Sequence, residues 1–212
     1  FRAAARGRSN QLAVFLDSTG RAYSLPAHTL PSARGQGEPL SGRLDPPDGA
    51  SFAGVAIGEP DDRWVLASEA GYGFVVRLSD MHSRNRAGKA VLKVPKGSGV
   101  LVPAPVQAGA KPLLPAENSD GRVRVFPVSD QPELPRGKGN TIFGIPAKKA
   151  ASGEEVLLGI TVVGSGQAIG VQSGERQMTV AYKNLSDYRG ERGQRGTLLP
   201  RGWRKVSRLC VV

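Results

Sequence analysis

The sequence predicts an all-β repeat protein, a propeller-like array of four-stranded blades. Three observations predict it. A basic, glycine-rich block occurs four times and ends each time in an aliphatic residue: Arg34-Gly-Gln-Gly-Glu-Pro-Leu40, Arg86-Ala-Gly-Lys-Ala-Val-Leu92, Arg136-Gly-Lys-Gly-Asn-Thr-Ile142 and Arg192-Gly-Gln-Arg-Gly-Thr-Leu198. The blocks align without a gap and recur about every 50 residues, a repeat spacing rather than that of one globule. A turn signature between two apolar runs precedes each block. Finally, 28 glycines and 16 prolines accompany only 39% hydrophobic and 6% aromatic residues in 212, a thin core spread over many turns.

The elements follow in order within each unit. The turns are Asp17-Ser-Thr-Gly-Arg21, Glu69-Ala-Gly-Tyr72, Asn118-Ser-Asp-Gly-Arg122 and Gln172-Ser-Gly-Glu-Arg176, each placing glycine with small polar residues as a hairpin requires. The flanking runs alternate with a period of two. Leu12, Val14 and Leu16 make one stripe, Met178, Val180 and Tyr182 another, and Arg122-Val-Arg-Val125 puts arginines on one face and valines on the other. A short strand is expected after each block: Leu40–Leu44, Val91–Val94, Ile142–Ile145 and Leu198–Leu199. A further strand leads into the next unit at Phe52–Ile57, Val100–Val102 and Val156–Val163. Four strands in about 50 residues make one blade. Helix is not expected beyond one turn within Ser186–Arg195. Phe1–Arg6 reads as a strand following a block that would lie earlier, so the chain is expected to be a fragment. It reads as a single domain, 1–212, with blades at 11–52, 53–101, 102–157 and 158–212 and the remnant of a first blade at 1–10.

Several function classes fall away. One cysteine, Cys210, permits no internal disulfide, and with His28 and His82 it makes no zinc spacing. No G-x-S-x-G elbow or Walker loop is present. The acidic pairs Asp61-Asp62 and Glu154-Glu155 read as solvated turns, and Trp64 and Trp203 as packing residues. No nucleophile and base stand together, so the chain alone is not read as an enzyme, and no cofactor is expected in it. The longest apolar run, Val156–Val163, is too short to span a bilayer.

The charge points elsewhere. A formal net charge of +11 without an amphipathic basic helix suggests nucleic acid rather than a membrane surface. Glycine lets backbone N–H groups approach an anion, and the arginine fork matches phosphate oxygens. Repetition should put the blocks at one structural place on successive blades. The candidate DNA contacts are Arg34, Arg84, Arg86, Lys89, Arg136, Lys138, Arg192 and Arg195. Phosphate contacts carry no base information, so binding should be nearly sequence-independent. Bending a site of about 20–30 base pairs costs about 1–6 kcal/mol, which several such contacts must offset. The alternative from composition alone is a propeller-like scaffold that recognises an acidic protein.

The residues also resemble a known family. Phe15-Leu-Asp-Ser-Thr-Gly-Arg-Ala-Tyr23, Thr29-Leu-Pro-Ser-Ala-Arg-Gly-Gln-Gly-Glu-Pro-Leu-Ser-Gly-Arg-Leu44, Ala67-Ser-Glu-Ala-Gly-Tyr-Gly-Phe74, Arg84-Asn-Arg-Ala-Gly-Lys-Ala90, Phe126-Pro-Val-Ser-Asp130, Lys138-Gly-Asn140 and Gly190-Glu-Arg-Gly-Gln-Arg-Gly-Thr-Leu198 resemble the C-terminal domain of bacterial topoisomerase IV A subunits. The resemblance covers nearly the whole chain. It implies a β-pinwheel, in which neighbouring blades exchange strands, and a non-catalytic, monomeric domain that binds and bends DNA. It further implies a type IIA topoisomerase that decatenates chromosomes and relaxes supercoils in the bacterial cytoplasm. The DNA-cleaving tyrosine, ATP and Mg would belong to other parts of that enzyme. The implied partners are duplex DNA, the N-terminal breakage-reunion domain of the same polypeptide and an ATPase B subunit in an A2B2 assembly. The gyrase counterpart, which wraps DNA, is the alternative within the wider family. No block fully matches its Gln-Arg-Arg-Gly-Gly-Lys-Gly box, and Arg136-Gly-Lys-Gly139 comes nearest.

Overall fold

The computed structural model describes residues 3–32, 34–107, 109, 111–203 and 206–212. Strands β1 (Leu12–Asp17) and β2 (Arg21–Pro26) form the first hairpin, and β3 (Phe52–Ile57) returns to pair with β1. The second hairpin is β4 (Arg63–Ala67) and β5 (Tyr72–Arg77), followed by one turn of helix, α1 (Leu78–Met81). Next, β6 (Lys89–Ala90) leaves its own unit to pair with β2, and β7 (Ala104–Pro105) pairs with β4. The third hairpin is β8 (Leu113–Asn118) and β9 (Arg122–Pro127). Then β10 (Asn140–Thr141) crosses back to β5, α2 (Ala147–Ser152) intervenes, and β11 (Leu157–Ile160) pairs with β8. The fourth hairpin is β12 (Ala168–Ser173) and β13 (Arg176–Ala181); β14 (Thr197–Leu198) crosses back to β9, and β15 (Arg208–Val211) pairs with β12.

The sheet orders are β3-β1-β2-β6, β7-β4-β5-β10, β11-β8-β9-β14 and β15-β12-β13. In the first three sheets one edge strand comes from the basic block of the following unit. This exchange makes the array a β-pinwheel.

The turns form for the reasons their residues predict. At the first, Gly20 takes φ +82, and the Asp17 carboxylate accepts hydrogen bonds from the Thr19 and Arg21 backbone N–H groups at 2.8 and 3.0 Å. At the third, Asn118 accepts from the Arg122 N–H at 2.9 Å.

Apolar residues fill the spaces between blades rather than one centre. Val14, Leu16, Trp64, Leu66, Phe74 and Val76 pack between the first two hairpins. Val65, Val75, Leu114, Phe126, Ile142 and Phe143 pack between the second and third. Val123, Val125, Ile169, Val171, Val180 and Leu185 pack between the third and fourth. Val65 and Leu66 are adjacent yet belong to different clusters, because successive residues of a strand face opposite sides.

Some local expectations change. Leu40–Gly42 is a 3-10 turn, not a strand, and the post-block strands at Lys89–Ala90 and Asn140–Thr141 precede the segments expected. The strand expected at Val100–Val102 lies at Ala104–Pro105, with only an isolated bridge between Ser68 and Val100. Residues 3–6 form no strand, and Phe1 and Arg2 lie outside the described residues. Helix appears where none was expected, at the single turn α1 and at α2, which Gly153 terminates in the left-handed region at φ +71. The expected turn within Ser186–Arg195 belongs to a 3-10 segment starting earlier, Tyr182–Tyr188. Glu155 is not solvated: it is fully buried and hydrogen-bonded to Asn118 at 2.7 Å, because the arginine of the fourth block reaches over it.

Candidate nucleic-acid interface

Each crossing block docks through one glycine. A Cβ on Gly139 would collide with the carbonyl oxygen of Gly73, and Cβ atoms on Gly88 and Gly196 would stand 2.7 Å from the carbonyls of Ala22 and Val123. Those three carbonyls belong to the second residue of β5, β2 and β9, so the glycines occupy one structural place. Three residues further on, Val91, Ile142 and Leu199 are all buried, whereas Leu198 is 37% exposed.

Taking these glycines as the reference corrects the gap-free alignment of the blocks. Arg86, Arg136 and Arg192 stand two, three and four residues before Gly88, Gly139 and Gly196. The arginines therefore do not repeat at one place. Close backbone approach fixes the glycine and the buried aliphatic, while the intervening loop varies in length.

The docked blocks also touch each other. Gly137 N–H donates to Val91 at 2.8 Å, and Lys93 N–H donates to Gly137 at 2.8 Å. Gly193 N–H donates to Ile142 and Gly144 N–H to Gln194, both at 3.1 Å. Five residues past the first block, Asp45 N–H donates to the Arg86 carbonyl at 2.9 Å. A belt of main-chain hydrogen bonds thus joins the second, third and fourth blocks.

The eight predicted site residues divide within this belt. Arg34, Arg84 and Arg136 are exposed, with no hydrogen bond or ion pair from the guanidinium among the described residues. Lys89 is half-buried. Lys138 is exposed, its ammonium 3.6 Å above the centre of the Tyr72 ring, which holds the charge in place. Arg86 lies 3.4 Å from Asp45 in an exposed pair. The fourth block turns inward. Arg192 donates to the Thr141 carbonyl at 2.7 Å, and Arg195 bonds Asp120 and buried Glu155 at 3.1 and 3.0 Å.

Sequence reasoning missed the residues that hold the blocks. Arg21 donates to the carbonyls of Ala87 and Gly88 at 2.9 and 3.0 Å, and Arg122 to Gly196 at 3.0 Å. Arg124 lies buried beneath the fourth block and donates to Arg189 and Arg195 carbonyls. The available signal was an arginine immediately after three of the four turns, at positions 21, 122 and 176. Arg176 follows the same pattern with a different segment, donating to the Gly202 carbonyl at 2.5 Å under the Trp203 ring. His82 is half-buried, and burial, aided by the nearby Lys89 charge, lowers its pKa, so it adds no cation at neutral pH. Among the described residues no group of His, Cys, Asp and Glu side chains is placed to hold a metal ion.

Comparison with known proteins finds close relatives, although no family model matches the chain. The chain is 54% identical over 211 residues to the A subunit of DNA topoisomerase 4 from Pseudomonas aeruginosa and 44% identical over 211 residues to that from Escherichia coli K12. Both alignments cover 100% of this chain, which spans 28% of the length of these relatives. Among solved structures, the E. coli ParC C-terminal domain superposes with a TM-score of 0.86 at 42% identity, covering 98% of this chain and 84% of that one. The DNA gyrase A C-terminal domain superposes with a TM-score of 0.73 at 13% identity, over 97% of this chain and 67% of that one, a likeness of fold alone.

Proposed function

Because the chain belongs to the family of ParC-type C-terminal domains of the DNA topoisomerase IV A subunit, we propose that it grips and bends duplex DNA for that enzyme. The observation that carries the proposal is the belt of hydrogen-bonded blocks, with the unpaired guanidiniums of Arg84 and Arg136 and the ring-supported ammonium of Lys138 on its exposed side. A duplex presents one phosphate charge per about 1.7 Å of axis, so a line of cations fits it better than a single cleft. The grip is on phosphates, and its role is to present bent DNA and so set which crossings and catenanes the enzyme acts on.

The rest of the reading concerns the longer protein. Cleavage, by a tyrosine of the breakage-reunion domain, and ATP hydrolysis with Mg, by the B subunit, take place outside this chain in an A2B2 enzyme. That enzyme works on the bacterial chromosome in the cytoplasm. The domain itself contributes DNA binding and no chemistry.

The test is duplex affinity across a salt series. If the outward cations alone neutralise phosphates, the slope of log K against log salt is about −5; if Arg192 and Arg195 also contribute, it is about −7. Arg136→Ala/Lys138→Ala should make it shallower by about 2. Absence of binding at low salt would overturn the proposal.

A further inference from the structure

The cavity between the second and third blades is lined by a polar residue where the sister units place an apolar one. The turn after each hairpin is built alike: Leu78-Ser-Asp-Met81 follows β5, and Val128-Ser-Asp-Gln131 follows β9. Met81 is fully buried, as is Leu185 at the same place after β13. The third unit puts a glutamine there instead. Gln131 is only 5% exposed, and neither its Oε1 nor its Nε2 has a hydrogen-bond partner. A buried amide without partners is destabilising, and the apolar residues of its sister units show that the fold does not need one. Gln131 lines a cavity of about 580 Å³ whose walls include Val75, Val106 and Val128.

We propose that this cavity is a docking pocket for a short extended peptide carrying a basic side chain beside an aliphatic one. A carboxamide offers an NH2 donor group beside a carbonyl acceptor, which can pair with both the C=O and the N–H of a peptide group. The valine walls suit an aliphatic side chain. At the rim, Arg63 and, just outside it, Arg77 both donate to Glu133, at 2.8 and 2.7 Å, which leaves one positive charge among the three. Asp61 and Asp62 remain as the outward charge; Asp61 is 91% exposed and only loosely paired with Arg77 at 3.9 Å. Set against that one positive charge, the two carboxylates leave the mouth one charge negative on a chain of net charge +11, which favours a cationic guest over a phosphate and separates this pocket from the DNA-binding belt.

The experiment is an NMR titration of the isotopically labelled 212-residue protein with acetyl-Leu-Arg-amide, acetyl-Leu-Glu-amide and adenosine monophosphate. The arginine peptide should shift the Gln131 side-chain amide and the Val75 and Val128 backbone signals saturably, with Kd on the order of 1 mM. The glutamate peptide should bind about tenfold more weakly. Gln131→Met should abolish the shifts, raise Tm by about 3 °C and leave the DNA salt slope unchanged. The surface variant Asp61→Asn/Asp62→Asn should weaken the arginine peptide about tenfold without altering the fold. No saturable shift at about 10 mM, equal binding of the two peptides, or preference for the nucleotide would each overturn the proposal.

Discussion

The third and first basic blocks share the pattern arginine, glycine, x, glycine, yet the fold treats them differently. In the third, Gly139 sits at φ +74 where a Cβ would collide with the Gly73 carbonyl, and Asn140 and Thr141 extend the sheet of β5. In the first, Gly37 has the same φ of +74, but a Cβ there would meet no atom within 4 Å. Arg34–Pro39 is exposed throughout and joins no sheet among the described residues. Glycine in these blocks therefore serves two separable ends, a left-handed loop and a close approach to a neighbouring blade. Only the second ties a block to the stability of the fold, so the later blocks are anchored to a neighbouring blade and the first is not.

The sharpest way to break this comparison is a pair of alanines. Gly139→Ala should cost about 4 kcal/mol, since the new Cβ meets main chain that cannot turn aside. Gly37→Ala should cost about 1 kcal/mol, the left-handed penalty alone. Urea unfolding of both variants measures the difference, and equal losses would mean that docking does not stabilise the later blocks.

The sheet that receives the fourth block offers a test through pH. Glu117 lies opposite Val123, which pairs in turn with Thr197 of that block. Its carboxyl is buried without a partner, and burial pushes its pKa up to about 8 from an unfolded value of 4.5. Between those values the folded protein holds a proton that the unfolded chain releases, so stability falls as pH rises. The fall should be about 3 kcal/mol from pH 5 to 8. Glu117→Gln should flatten it, as Tm across that range would report; a variant that keeps the full slope would place its origin elsewhere. Glu155, two residues before β11 of that sheet, is the contrast, equally buried but bonded to Asn118 and Arg195.

The smallest expected effect is on DNA affinity. Arg84→Ala should weaken low-salt binding roughly fivefold and Arg34→Ala less than about twofold, because an arginine on an unanchored loop loses more freedom when it binds. Equal losses would erase the distinction between anchored and free blocks.

Much of this was legible in the sequence. The four hairpins followed from turn glycines with alternating flanks, and the repeat followed from the blocks. Strand exchange was not legible from spacing, because strands of two residues such as Lys89–Ala90 carry no periodicity, and only the family resemblance pointed to it. The register of the blocks misled, since arginine is the conspicuous residue while glycine is the constrained one. The inward turn of Arg195 was hidden for another reason. Its partners Asp120 and Glu155 lie far away in sequence and on different elements, and Glu155 looked like half of an ordinary acidic turn. The short helix α2 has no apolar stripe from which to be read.

Strand exchange also bears on how the protein is made. Arg21 waits for Ala90, Gly73 for Asn140 and Val123 for Thr197, each about 70 residues downstream, and at about 5–20 residues per second a ribosome needs several seconds to supply them. Through that interval each newly emerged hairpin presents a bare main-chain edge to the crowded surroundings of the exit tunnel. Translation speed, and any factor that shields nascent chains, should therefore influence the yield of correctly assembled protein more than the stability of the finished array would suggest.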